Sequence, residues 1–319
     1  MRISAMFFSA ALTALAAHAA LAASSAYAEV TYRTVMASDG VPLNVAETGT
    51  AGAPALLLLH GVGQSHHSWI RQLDSDLATK FHMVAFDLRG HGGSGKPWTA
   101  ESYRNACTWA DDVAAVMAAT ALVKPVMVLW SYGGTVGMHY VRCRGVGNLS
   151  GIVFAASRAG LYPNPGVNPA IPAASANMAD PDLGKNLAGA DAFAGFLSAE
   201  PPPPPLAAAT RIMNLMYPPY ARQANDGPQM LPDGKTYRDN TDLIPALTVP
   251  LMFAFGERDG FSNAAAGAAA VKTLFPSARN VTYPGVGHWL FFQAAETFNR
   301  DLAAFAADAF AAAKTQPTR

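Results

Sequence analysis

Short apolar runs alternate along this chain with longer stretches in which apolar residues recur every three or four positions. "ALLLLH" (Ala55 to His60) and "HMVAFD" (His82 to Asp87) are continuous apolar runs, the pattern of strands buried on both faces of a mostly parallel sheet. "VMVLW" (Val126 to Trp130), "SGIVFAAS" (Ser150 to Ser157), "VPLMFAFGERD" (Val249 to Asp259) and "NVTYPGVGH" (Asn280 to His288) read as further strands. "YRTVMA" and "PLNVAET" make two earlier ones, joined by a hairpin-type turn at Asp39-Gly40. Helical spacing fills the intervals at Trp69 to Lys80, Thr108 to Thr120, "GGTVGMHYVRCR", Ala264 to Leu274 and Phe291 to Ala312, with Asp111 and Asp112 in early turns where the helix dipole favours them. The alternation predicts an α/β fold around a parallel sheet.

From about Arg158 to Ala246 the rhythm changes. This segment carries "LYPNPGVNP", the run Pro201 to Pro205, and two short amphipathic pieces, "DAFAGFLSA" and "LAAATRIMNLMYPPYARQA". Its proline density argues against a sheet strand and for small helices with a stiff extended connector. The chain therefore divides into a core, residues 29–157 and 247–319, interrupted by a helical insertion, residues 158–246. No internal repeat is present.

The first residues put one arginine ahead of an alanine-rich apolar run that ends in Ala26-Tyr27-Ala28, a small-x-small pattern suited to signal peptidase. Residues 1–28 read as an export signal cut after Ala28, which implies a periplasmic or secreted protein with no stable membrane insertion after cleavage. Export permits disulfides, and there are two cysteines, Cys107 and Cys143. They fall near the start of one helix and near the end of another that should run the same way. The expectation is two reduced thiols.

The chain has 319 residues, 51% of them hydrophobic and 14% charged, enough for a large core and far from a disordered composition. Lys plus Arg balances Asp plus Glu at 22 each, so no basic surface points to nucleic acid or an anionic membrane. A small molecule is the expected partner.

The strand at Val126 breaks into "SYGG", which presents Ser131 at the tip of a strand-to-helix turn. This is the arrangement of a nucleophile elbow, G-x-S-x-G, except that Leu129 stands where the first glycine belongs. A serine nucleophile needs a base, an acid to orient that base, and donors for the oxyanion. The base is best read as His288 in "GVGHW", directly after the last strand. His82 begins a strand, His139 lies inside a helix, and His66 and His67 lie in a loop. His60, His66 and His67 cluster in sequence, but no HExxH and no acidic ligand at matching spacing supports a metal. The acid is best read as Asp259 in "FGERDGF", with Glu257 and Asp87 as rivals; Asp87 precedes "LRGHGGSG", where it suits an anchoring role. In "HGVGQS", Gly61 and Gly63 free the backbone around Val62, whose N–H can join that of Tyr132 as an oxyanion donor. Met213, Met216, Tyr217 and Tyr220 sit at helical spacing in the insertion and read as its core.

The pieces "LLLLHGVGQS", "VAFDLRGHGGSGKP", "LWSYGGTVG", "VPLMFAFGERD" and "GVGHWLFFQAAETFN" together resemble the α/β-hydrolase superfamily, in its capped, haloperoxidase-like esterase branch, and the order Ser131, Asp259, His288 is the one that superfamily uses. The resemblance implies an α/β-hydrolase fold with a mostly parallel central sheet flanked by helices, and a cap made by residues 158–246. It also implies catalysis by Ser131, Asp259 and His288, an oxyanion hole at Val62 and Tyr132, and no cofactor or metal. The expected activity is cleavage of small to medium, largely apolar carboxylic esters through an acyl-enzyme. Lactonase, carbon-carbon bond hydrolase and cofactor-free perhydrolase chemistry share these residues, and a ligand receptor on the same fold is the non-enzymatic rival.

Overall fold

In the computed structural model, residues 29–315 are described apart from Pro165, Pro228 and Arg238. The segment read as an export signal, residues 1–28, lies outside them. Eight strands form one sheet: β1 (Thr31–Met36), β2 (Pro42–Thr48), β3 (Ala55–Leu59), β4 (His82–Phe86), β5 (Val126–Trp130), β6 (Gly151–Ala155), β9 (Leu251–Gly256) and β10 (Arg279–Tyr283). The order is β1-β2-β4-β3-β5-β6-β9-β10. The β1-β2 and β2-β4 pairs are antiparallel and every later pair is parallel.

Apolar runs become central strands because both faces of the sheet are covered. In β5, Met127 and Leu129 enter the core on one face while Val126, Val128 and Trp130 enter the core on the other. The first face packs on α1 (Ala106–Ala119) and α2 (Tyr132–Arg144), through Trp109, Val113 and Val136. The second packs on the closing helix α8 (Ala295–Thr315), through Phe298, Leu302 and Phe305. The chain leaves β3 toward β4 on one side and reaches β5 on the other. This reversal opens a crevice at the carboxyl ends of the strands, where open α/β sheets bind ligands.

Between β6 and β9 stand α3 (Ala170–Ala179), α4 (Leu183–Phe196), α5 (Pro204–Leu215) and α6 (Pro219–Asn225), while α7 (Ala264–Leu274) follows β9. The proline run behaves as its chemistry dictates. Pro201 to Pro203 stay outside helix, and the last two prolines open α5, where a missing N–H costs nothing. One element was not expected from the proline content, a short antiparallel ribbon of β7 (Gln229–Met230) and β8 (Thr236–Tyr237). Another departs from its pattern: Trp69 to Lys80 is not a single helix. It breaks at Ser75, whose hydroxyl donates to the Gln72 carbonyl and accepts from the Leu77 N–H, closing one short turn and opening the next.

The two cysteines are not reduced. Cys107 and Cys143 form a disulfide with Cα atoms 5.6 Å apart. The expectation took the two helices to run the same way, which would hold these two ends most of a helix length apart. However, β4 ends at Phe86 and α1 begins only at Ala106, and this long connection carries the first turn of α1 to the last turn of α2. Arg144 and Asp111 pair at 2.6 Å on the same junction. Among the described residues no helix is long and apolar enough to cross a membrane.

The bridge encloses a sequence separation of 36 residues, for which loop-closure entropy gives roughly 3–4 kcal/mol. Cys107→Ser should lower the unfolding free energy by about 2–4 kcal/mol in a urea titration. A change within experimental error would show that the bridge does not constrain the unfolded chain.

Candidate active site

Ser131 follows β5 directly and has a positive φ of 50°. A residue with a Cβ avoids this region unless its surroundings hold it there. Three contacts do so: the Ser131 N–H donates to Ala155 O at 3.1 Å, the Gly134 N–H donates to Ser131 O at 2.9 Å, and the Ser157 hydroxyl donates to the same carbonyl at 2.6 Å. Ser157 was not singled out in the sequence, because its role depends on β6 lying beside β5. Side chains are excluded around the turn. A Cβ on Gly133 would lie 2.4 Å from Leu59 O, and one on Gly134 would lie 2.0 Å from Ser157 Oγ.

The leucine before the turn is accommodated by α2. Leu129 is fully buried, and a Cβ on Gly137, in the second turn of the helix, would lie 2.4 Å from Leu129 Cδ1. The space usually left by a glycine two residues before the serine is here left by one six residues after it.

His288 follows β10 through the turn at Gly285, and the Trp130 indole N–H donates to its carbonyl at 3.0 Å, tying the histidine to the residue next to Ser131. Its Nδ1 donates to Asp259, 3.0 and 2.9 Å from the two carboxylate oxygens. That bond fixes the tautomer and leaves Nε2 as the free acceptor. Asp259 is held in turn by the Phe261 N–H and the Ser262 hydroxyl, each at 2.7 Å. Both partners are buried, and the Phe261 ring lies 4.2 Å from the imidazole, shielding the pair from water. Ser131 and His288 border one cavity of about 580 Å³.

The rival carboxylates stand elsewhere. Glu257 is exposed and accepts from the Gly285 N–H. Asp87 accepts from the N–H groups of His66 and Gly93, each at 2.7 Å, from Asn44 Nδ2 at 3.0 Å, and from His66 Nδ1 at 2.8 Å. Burial would raise its pKa, but these bonds and the neighbouring His66 outweigh it and hold the carboxylate well below its ordinary value. It anchors the loop from Gly92 to Gly95 beside His66. His66 and His67 border a separate groove with Met213 and Met216.

The Val62 and Tyr132 N–H groups donate to nothing among the described residues. Their loops lie close together: a Cβ on Gly61 would sit 3.2 Å from Ser131 Cβ. Gly63 has a φ of +68°, and a Cβ there would lie 2.3 Å from Asn214 Oδ1. His60 fixes the same loop, its Nδ1 donating to Gly61 O at 2.8 Å while Nε2 accepts from the Leu88 N–H at 3.0 Å. Burial pushes the His60 pKa down to about 4, so the ring stays neutral and keeps both bonds.

A model of the Alpha/beta hydrolase family matches residues 56–301. The chain belongs to this family. A solved structure from Burkholderia cenocepacia assigned as an aryl esterase superposes with a TM-score of 0.79 at 30% identity, covering 88% of this chain and all of that one. A bifunctional esterase/perhydrolase from Acinetobacter calcoaceticus is 27% identical across 85% of this chain and 98% of its own length. Epoxide hydrolase A of Mycobacterium tuberculosis is 39% identical over 66 residues, but the chain spans only 20% of that relative's length. The first two similarities run over nearly the whole length of each relative; the third does not.

The cavity wall is largely polar. Asn225, Asp226, Gln229, Tyr237 and Asn240 from the insertion join Thr135 and His139 from α2, unlike the wall a largely apolar ester would want. Met213, Tyr217 and Tyr220 do not border it; Tyr217 instead stacks on His91 at 3.8 Å and Tyr220 on Trp98 at 4.0 Å.

The fit between Leu129 and Gly137 is testable by a double-mutant cycle. Gly137→Ala should destabilise the protein by about 1–3 kcal/mol through overpacking, and Leu129→Ala in the same chain should recover part of that loss. Additive effects in the two variants would mean that the side chain and the helix do not share this space.

Proposed function

We propose that this protein is a serine hydrolase that cleaves small to medium carboxylic esters through an acyl-enzyme. The observation that carries the reading is that His288, its ring bound by the buried Asp259 carboxylate, borders the same cavity as a serine held at positive φ. A serine hydroxyl has no reason to occupy a strained turn beside an oriented imidazole unless it is being presented. Ser131 attacks the acyl carbon while His288 Nε2 takes its proton, and Asp259 steadies the imidazolium through Nδ1. The Val62 and Tyr132 amides receive the oxyanion. His288 returns the proton to the departing alcohol, and water activated by the same nitrogen then releases the acid. The serine favours acyl transfer over epoxide or haloalkane opening, which use an elbow aspartate to form an ester that water can open. The whole-length likeness to an esterase/perhydrolase supports a second reading, in which hydrogen peroxide replaces water in the last step and gives a peracid.

Ser131→Ala should reduce kcat/KM for p-nitrophenyl acetate by about 10³-fold or more and abolish labelling by a fluorophosphonate probe. Equal turnover by wild type and variant would refute the assignment.

Export is part of the proposal. A disulfide persists in an oxidising compartment, which supports removal of residues 1–28 and a periplasmic or secreted destination. The exported protein should begin at Glu29, as read by intact mass, and a chain retaining Met1 would contradict this.

A further inference from the structure

The proposed chemistry occupies one end of the cavity and leaves two buried polar atoms in its wall unexplained. His139 is fully buried on α2, two helical turns beyond Ser131, and its Nε2 has no partner among the described residues. Gln229, on the β7 strand of the insertion, has its Oε1 buried and equally without a partner among them. Both residues border the cavity that holds Ser131 and His288. Buried polar atoms without partners cost stability, and two bordering a ligand cavity mark the places where a ligand's own groups would satisfy them.

The tautomer follows from Tyr237, whose hydroxyl lies 2.5 Å from His139 Nδ1. Burial pushes the Tyr237 pKa up to about 12, so the phenol keeps its proton and needs an acceptor. Nδ1 is that acceptor, and the ring proton therefore sits on Nε2. Burial, together with the nearby Arg142, pushes the His139 pKa down to about 3, so the ring is neutral. Arg142 itself stacks over Tyr237 at 4.1 Å and is paired with Asp242. The cavity thus presents a neutral N–H donor and a neutral carbonyl acceptor. Among the described residues of its wall, Arg158 and Asp226 carry charges of opposite sign.

We propose that His139 and Gln229 form a recognition subsite for an uncharged hydroxyl carried by the substrate away from the scissile bond, accepting from His139 Nε2–H and donating to Gln229 Oε1. A hydroxyl fits because one oxygen does both. Tyr237 acts as a positioning residue that fixes the imidazole's tautomer. The inference rests on the reading of Ser131 and His288 as the reacting end of the cavity.

The test measures binding, so it does not depend on turnover. A homologous series of N-ethyl alkanamides ending in a hydroxyl, and a reverse series of N-(hydroxyalkyl)acetamides, are titrated calorimetrically against methyl-ended partners of equal length. The best hydroxyl-ended member should bind wild type about tenfold tighter than its methyl-ended partner, and His139→Phe or Gln229→Leu should each bring that ratio close to one. Gln229→Leu, outside the core sheet, keeps the test available should His139→Phe fail to fold. No preference in wild type, or a preference that survives both substitutions, overturns the subsite. Loss of fluorophosphonate labelling with the preference intact would instead overturn the hydrolase reading and leave the subsite standing.

Discussion

The structure turns on one backbone position, Ser131, held in a conformation that its side chain disfavours. The residue gains nothing locally from a φ of 50°; neighbouring strands impose it. Two of its backbone groups are bound from the β6 side, by Ala155 O and the Ser157 hydroxyl, and the β3 loop closes against its Cβ at Gly61. Without the parallel alignment of β3, β5 and β6 none of these contacts exists. The sheet supplies the strain as well as the scaffold.

The histidine arrives by a different route and is fixed by bonds that do not involve the serine. Trp130 ties its carbonyl, Asp259 ties its ring, and Phe261 covers the pair. This separation orients the imidazole independently of Ser131. The insertion supplies neither Asp259 nor His288. It contributes cavity wall beside Thr135 and His139 of α2, so core and insertion share the lining.

The strands of the core were legible because burial on both faces makes continuous apolar runs. Ser131, Asp259 and His288 stood out in the sequence because each lies at or shortly past the carboxyl end of an expected strand. What the sequence could not show depends on distances between elements. Ser157 matters only through its reach to the Ser131 carbonyl, and His60 only through its bonds to Gly61 and Leu88. The disulfide was misjudged because helix direction was inferred without knowing where the long connection after β4 delivers α1. The polar wall was missed because β7 and β8 are two residues each, too short for a periodic signal.

Leu129 and Gly137 make a unit that a linear pattern does not capture. The elbow needs one small residue where strand and helix meet, and the geometry does not care which of the two supplies it. A pattern requiring glycine two residues before the elbow serine would pass over this chain, whereas one that asks for a single small residue across both positions would find it. What the turn constrains is a shared volume, and two residues eight apart can exchange their halves of it.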